Sequence, residues 1–469
     1  MNTIINFAQK LIRPAKDLQK EGLPIHAYLT ELTWLLFFKM APILGKIHLM
    51  PSDYRWELLI QKSGIEQYNY YQEVIKILSQ ASDPYIAGLY AHADTFFKTP
   101  EQLAQVITTL STINIPIEDL GEVYEILLER CAYLDGGRLH QVPRSLVDLM
   151  VILTQPQPGE LIQDPLAGTA SFVVATNEYM QVINDEFSES SSQGPPKNQT
   201  QNQNKFCTLE TNFLAVEPDL IRHRLALMNC LLHRINHSQH LPVRWGDSLL
   251  SNLEKWPQAD VILSILVFAS DLSEELGKHD ASLALLQHIY QTLKPGGRAA
   301  VILPDKLLNA VGPAQQVRGT LLDTCVLHTV LRLPHGIFYP YKVPAHLLFF
   351  WRGHTADEKT ENVWFYDLRA KCPIFGQYLR LKREHLMSFE KIYGDDPYGK
   401  SKRREEQDEE NRWHHFSRTH LAQRSDRLDL CWLTEANIIT DNQNTTGDIW
   451  EVLEKTVDDL EDLTKLLCE

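Results

Sequence analysis

Asp164-Pro165-Leu166-Ala167-Gly168-Thr169-Ala170-Ser171-Phe172 is the stretch on which the fold of this chain turns. Just before it, Leu161-Ile162-Gln163-Asp164 reads as a short apolar strand ending in a turn. Just after it, Phe172 to Ile183 carries helical spacing. A small-residue turn between strand and helix lets the backbone approach a ligand, and the helix N-terminal amides point into the same crevice. With a single glycine in it, the turn on its own also fits an ordinary strand–helix connection.

The spacing of acidic residues downstream narrows that choice. Phe213-Leu214-Ala215-Val216 reads as the next strand, and Glu217 stands at its end, where a carboxylate can accept from both hydroxyls of a ribose. Asp247, in Trp245-Gly246-Asp247-Ser248-Leu249, again falls at a strand end, where it can accept from the exocyclic amine of an adenine. Acceptors at successive strand tips describe a nucleoside-binding crevice, although an isolated Glu or Asp is more often a surface charge. Further along, Val261-Ile262-Leu263 reads as a strand, Asp280 to Leu293 as a helix and Arg298 to Leu303 as a buried strand. Such alternation predicts a parallel α/β sheet.

Outside this region the pattern changes. Leu29, Leu32, Leu35, Leu36 and Met40 recur at helical spacing, as do Leu103, Val106, Ile107 and Leu110, and no strand-like alternation interrupts them. Residues 1–134 are therefore expected to form an all-helical N-terminal domain, and residues 135–400 the α/β domain. Within the latter, residues 188–205 have no apolar side chain except proline and are expected to form a disordered loop. The charge-dense run from Lys400 to Asn411 reads as a solvated loop. Residues 401–469 are expected to form a C-terminal tail for subunit contacts. There Trp450, Leu453, Val457, Leu460 and Leu467 make a heptad stripe that either packs on its own domain or docks on a partner helix.

Composition bounds the function. The chain has 469 residues, 22% of them charged, and a net charge of −15. That sign argues against a protein that grips DNA by itself, though not against a local basic face or a partner that carries the contacts. No apolar run approaches the ~20 residues of a membrane span, and the N-terminus has no signal segment, so a cytoplasmic location is expected. The seven cysteines form no C-x-x-C pair, so neither a disulfide framework nor a zinc site is expected. His414-His415 lacks ligand spacing with acidic partners, and no metal site is expected there. Trp364-Phe365-Tyr366-Asp367 reads as a strand whose aromatic residues pack rather than stack on bases.

Taken together, Asp-Pro-x-Ala-Gly-Thr-Ala-x-Phe at 164–172 resembles the S-adenosylmethionine motif of type I restriction–modification system modification (M) subunits. Arg224-Leu225-Ala226-Leu227-Met228-Asn229-Cys230-Leu231-Leu232-His233 resembles the helix after their second strand. Leu293 to Val301, Pro304-Asp305 and Leu331 to Tyr339 are similar to their late strands, and Glu31 to Met40 to their helical domain. The resemblance covers nearly the whole chain in the right order. It implies a class I, Rossmann-like S-adenosylmethionine-dependent methyltransferase fold acting on the N6 amine of adenine in DNA. It also implies a specificity subunit that reads the sequence, a restriction subunit, and double-stranded DNA reached through the complex. On the matched positions Asp164, Pro165, Gly168 and Thr169 would cradle the methionine moiety, with Pro143 nearby, Glu217 would hold the ribose and Asp247 the adenine.

The departures from the family pattern bear on catalysis. Where the family carries Asn-Pro-Pro-Phe, this chain has Ile265-Leu266-Val267-Phe268. An adenine amine is a poor nucleophile until two acceptors take its hydrogens and localise its lone pair. Ile265 offers no acceptor, the Leu266 carbonyl remains as one, and Phe268 can still stack on a flipped base. Ser264, next to Ile265 on a strand, would face the other way. The family's Gly-Gln-Tyr-Phe-Thr-Pro-Arg survives only as Gly137, Pro143 and Arg144, and Ser171 replaces a usual glycine. The sequence therefore reads as a pseudoenzyme, an M-type subunit with impaired catalysis. The alternatives are an active subunit with altered geometry, a non-catalytic scaffold or DNA-clamping subunit, a decayed remnant of such an enzyme, and a repurposed cofactor sensor or other small-molecule transferase.

Overall fold

The computed structural model describes residues 2–433 except 47, 49, 137–138, 140, 191–211, 236–240, 251–255, 270–277, 371, 377, 406–407 and 409. The first part is helical throughout: α1 (Asn2–Lys20), α2 (Ile25–Met40), α3 (Trp56–Gln61), α4 (Gly64–Leu78), α5 (Pro84–Leu89), α6 (Pro100–Thr112) and α7 (Leu120–Leu134). Local chemistry starts two of these. Asp83 caps α5 by accepting from the Tyr85 and Ile86 amides, Thr99 caps α6 by accepting from Gln102, and proline follows each cap. α2 is apolar almost all round and is buried accordingly. Its polar residues are all answered: Thr33 meets the Tyr124 hydroxyl at 2.8 Å, and Glu31 accepts from Tyr71, Thr95 and the Phe96 amide.

The remainder alternates strand and helix: α8 (Arg144–Thr154), β1 (Leu161–Asp164), α9 (Ser171–Ser190), β2 (Asn212–Glu217), α10 (Leu220–Leu232), β3 (Val243–Trp245), β4 (Ala259–Ile265), α11 (Lys278–Thr292), β5 (Leu293–Pro304), α12 (Asp305–Asn309), α13 (Pro313–Thr324), β6 (Cys325–Arg332), β7 (Ala345–Arg352), β8 (Asn362–Asp367), α14 (Arg383–Tyr393), β9 (Trp413–Ser417) and α15 (Arg418–Gln423). The strands form one sheet in the order β3-β2-β1-β4-β5-β7-β6-β8-β9. Strands β3 to β5 run parallel. Here the expectation of a parallel sheet needs correcting, because β7 is antiparallel to both β5 and β6. No crossover helix separates β6 from β7, so the chain returns as an antiparallel neighbour.

Alternate residues of β4 divide between the two faces of the sheet. Val261, Leu263 and Ile265 pack with α8 and α14, while Ile262 packs with α11 and α13. Both faces are covered, which is why β4 and β5 read as continuous apolar runs. The helical part has no separate core: its buried residues are continuous with Leu225–Leu232 of α10 and Val243 of β3. Arg144, at the start of α8, adds a polar tie by pairing with Glu125 of α7 at 2.6 Å, with Asp148 at 2.7 Å and with Glu178 of α9.

The boundary near residue 400 also moves. Trp413–Ser417 adds a ninth strand, antiparallel to β8, and Leu428 and Leu430 are buried against the same sheet. The Lys400–Asn411 run is more than a solvated loop. The Arg403 guanidinium stacks on Tyr393 and Trp413, and its Nη1 donates to Thr329 at 2.8 Å. As expected, Trp364 packs, stacked on Trp413 at 4.9 Å. The heptad stripe of the tail, and residues 191–205 of the polar insertion, lie outside the described residues, while 188–190 close α9.

Candidate functional site

The chain runs from β1 outward to β2 and β3, then crosses to β4 on the other side of β1. That reversal opens a crevice at the carboxyl ends of the strands, where parallel sheets bind ligands. A small cleft of about 50 Å³ lies there, lined among others by Asp164, Gly168, Thr169, Glu217, Arg222, Ile265 and Phe268. The turn after β1 has left-handed backbone at Gly168 (φ 57°) and Ala170 (φ 68°). Nothing lies within 4 Å of where a Cβ on Gly168 would stand, so the backbone is open to a ligand there.

Asp164 is buried, and its Oδ1 accepts from the Leu166 amide at 3.1 Å and from the Ser264 hydroxyl at 2.9 Å. Burial pushes its carboxyl up to about 7, against the pull of those hydrogen bonds and with a push from Glu217. Glu217 is 0% exposed. Its Oε2 accepts from the Gly168 amide at 2.8 Å, and its Oε1 from the Asp219 amide at 3.0 Å and Arg222 Nε at 2.9 Å. Burial raises its pKa, and the Arg222 guanidinium works against that rise.

At the end of β4, Ile265, Val267 and Phe268 face the α8 and α14 side, while Leu266 faces α11. Ser264 turns away from Ile265 and onto Asp164. Phe268 packs edge-on against Phe338 at 5.8 Å and tilted against Tyr341 at 5.1 Å. The Leu266 carbonyl, expected to remain as an acceptor, is already engaged: the buried Ser282 hydroxyl of α11 donates to it at 2.8 Å. The Leu266 amide donates to Ile302, also at 2.8 Å, which holds the peptide on β5. At this end of β4 the cleft is thus walled by the hydrocarbon of Ile265 and the ring of Phe268.

Of the residues singled out in the sequence, Asp164, Gly168, Thr169, Glu217, Ile265 and Phe268 come together in the cleft, and Pro143, Pro165, Asp247, Leu266 and Val267 do not line it. Pro143 starts α8, and Val142 and Val147 form the wall beside it. Pro165 accepts the Ser248 hydroxyl at 2.6 Å, tying the segment after β3 to the turn. Asp247 caps its own turn by accepting from the Leu249 amide at 2.8 Å. Thr169 meets Gln141 Nε2 at 3.0 Å, and its carbonyl accepts from Asn229 of α10.

Sequence reasoning missed Arg222 and Ser282. Arg222 left a signal: it is a cation in the first turn of α10, right after the Asp219 cap, where the helix dipole disfavours positive charge. Ser282 left none. Elsewhere among the described residues, no group of His, Cys, Asp or Glu is placed to hold a metal ion, and no helix is long and apolar enough to cross a membrane.

Residues 116–442 match the family model described as N-6 DNA methylase. The chain is 32% identical to the type I restriction enzyme EcoKI methylase subunit of Escherichia coli (strain K12), over 99% of this chain and 95% of that protein. It is 32% identical to the StySPI methylase subunit of Salmonella potsdam, over 92% of this chain and 89% of that one. The crystal structure of the EcoKI M protein aligns with a TM-score of 0.55 at 30% identity, covering 98% of this chain and 96% of the other. A type I restriction–modification methyltransferase subunit from Streptococcus thermophilus aligns with a TM-score of 0.64 at 17% identity, covering 91% and 98%, a likeness of fold.

Proposed function

The chain belongs to the N-6 DNA methylase family, among the methylase subunits of type I restriction enzymes, and from that premise we propose that it is an M-type subunit whose own methyl-transfer step is impaired. The family's cofactor is S-adenosylmethionine, which when bound supplies an electrophilic methyl group. The residue types at the crevice fit it. The open backbone at Gly168 and the carboxyls of Asp164 and Glu217 suit its amine and hydroxyl groups, with Asp247 at the next strand end. In this reading Asp164, Pro165, Gly168 and Thr169 hold the amino-acid end, with Pro143 supporting the start of α8. Glu217 serves the ribose and Asp247 the adenine.

The observation that carries the proposal is the end of β4. A target amine entering beside Phe268 meets Ile265, and the nearest carbonyl in the motif is held by Ser282. Losing one preorganised polar contact lowers a rate by roughly 10²–10³, and here both acceptors are out of place. Phe268 lines the cleft, packed against Phe338 and Tyr341, and is the motif residue that would stack on a base admitted there. The subunit would bind a base better than it activates one.

The fold around the site is kept. The sheet is complete and covered on both faces, and Arg144 clamps the helical part to it. We therefore favour a subunit that assembles and clamps DNA over a decayed remnant. Its net charge of −15 leaves most phosphate contacts to partner subunits. Those partners would be a specificity subunit and a restriction subunit, met in part through the tail beyond residue 433. Residues 1–134 would act as the helical unit and the sheet as the methyltransferase unit, in the cytoplasm.

Calorimetric titration of the folded chain with S-adenosylmethionine, followed by a methyl-transfer assay with a specificity subunit and DNA, tests the proposal. Saturable binding with little or no transfer is the expected result. Transfer at a rate typical of methylases would overturn it.

A further inference from the structure

Glu217 and Arg222 stand in a relation that the adenosyl reading leaves unexplained. A carboxylate offers about four lone-pair positions. Three are taken: by the Gly168 amide, the Asp219 amide and Arg222 Nε. Two of those donors are backbone groups of the β1–α9 turn and the α10 cap, so they fix Glu217 without blocking it. The third is a long, flexible side chain that lines the cleft next to the carboxylate it pairs with. The Arg222 and Glu217 side chains are 6% and 0% exposed, and with Arg222 in place about one lone-pair position of the carboxylate is left, where the two hydroxyls of a ribose need two. The cleft of about 50 Å³ is also far below the ~300 Å³ at which small-molecule pockets begin.

From this geometry we infer that Arg222 sets the chain's affinity for adenosyl ligands, by occupying Glu217 until it is displaced. The inference rests on the cofactor reading above. The backbone of Arg222 stays fixed, because its amide donates to the Asp219 cap at 2.8 Å. Opening therefore takes a movement of the side chain, with Nε leaving Oε1, rather than of the helix. Apparent affinity is reduced by the fraction of molecules in which Arg222 is withdrawn. A cation in the first turn of a helix gains nothing from the helix dipole. The pair with Glu217 therefore accounts for the position of Arg222.

The test compares S-adenosylmethionine binding by calorimetry in the full chain and in Arg222→Met, which keeps the length of the side chain and removes its donors. The expected result is binding about tenfold tighter in the variant, which corresponds to a closed state populated at roughly ten to one. A purely structural role for Arg222 predicts equal or weaker binding, and either result would overturn the inference while leaving the cofactor reading in place. Binding by neither protein would sink both.

Because Arg222→Met leaves a buried carboxylate unpaired, it can fail to fold. The unmodified chain then provides the measurement. With ¹⁵N-arginine labelling, and Arg222→Lys for assignment, the Arg222 Nε–H resonance should be protected from exchange without ligand and lose that protection as S-adenosylmethionine is added. A resonance that keeps its protection at saturating ligand contradicts the inference.

Discussion

Ile265→Asn asks whether the missing acceptor is what limits methyl transfer. Ile265 is 7% exposed, so the substitution gives up most of the burial of one aliphatic side chain, about 1.5–3 kcal/mol. Asn brings polar atoms onto a wall shared with Phe268 and Val147, at a further ~1–3 kcal/mol where they lack partners. The sum stays within the ~5–15 kcal/mol of a typical domain, so the variant should fold at low temperature. Its gain is one acceptor in the position a target amine needs, worth roughly 10²–10³ in rate. The second acceptor is held by Ser282, and Ser282→Ala frees one of its two positions, the Ala269 amide keeping the other at 3.3 Å, at the loss of one hydrogen bond, about 1 kcal/mol. The assay is transfer of a labelled methyl group to DNA, with a specificity subunit present and S-adenosylmethionine saturating. Ile265→Asn should exceed the unmodified chain by about 10², Ser282→Ala alone should give no gain, and the two together should exceed either. A folded, cofactor-saturated Ile265→Asn protein with no gain would refute the reasoning, since the obstacle would then lie elsewhere.

Other consequences are structural. Burial pushes the Glu31 carboxyl from its ordinary 4.5 up to about 7, against the hydrogen bonds from Tyr71, Thr95 and Phe96. A carboxyl with a raised folded pKa stabilises the fold fully below about 4.5, and that contribution is lost as pH rises through about 7. Stability against thermal unfolding should therefore fall across that window by roughly 3 kcal/mol, and Glu31→Gln should flatten the profile; an unchanged slope would count against it. Gly168→Ala forces a side chain into left-handed backbone at φ 57° and into the open face of the turn. It should cost about 1–2 kcal/mol in stability and weaken S-adenosylmethionine binding in calorimetry. Trp413→Ala removes a fully buried ring stacked on Trp364 and should destabilise the chain by about 3–5 kcal/mol. A shift below about 1 kcal/mol on unfolding would mean β9 is not integral to the sheet.

The sequence made legible those parts whose cause is local. Small residues between the apolar run of β1 and the helical spacing of α9 marked the crevice, and Glu217 marked the end of β2. The antiparallel course of β7 was hidden, because Leu347-Leu348-Phe349-Phe350 is as apolar as a buried parallel strand and direction leaves no mark on composition. β9 was masked by the charged run before it, whose Arg403 proves to be packed on Tyr393 and Trp413. In the site, the loss of an acceptor at Ile265 was readable from one residue. The capture of the Leu266 carbonyl by Ser282 was not, because that contact joins residues 16 positions apart through tertiary packing. The pairing of Glu217 with Arg222 lay between: its helix position was anomalous, but only geometry supplied the partner.

The most direct measurement of the central claim is long-read sequencing for N6-methyladenine. The DNA would come from cells lacking other adenine methylases that co-express this chain with a specificity subunit, with co-purification of the two recorded in parallel. The account predicts a stable complex and no motif-specific methylation above background. Methylation of a defined motif to near completion would contradict it, and would show that Ile265-Leu266-Val267-Phe268 supports catalysis by a geometry other than the one described.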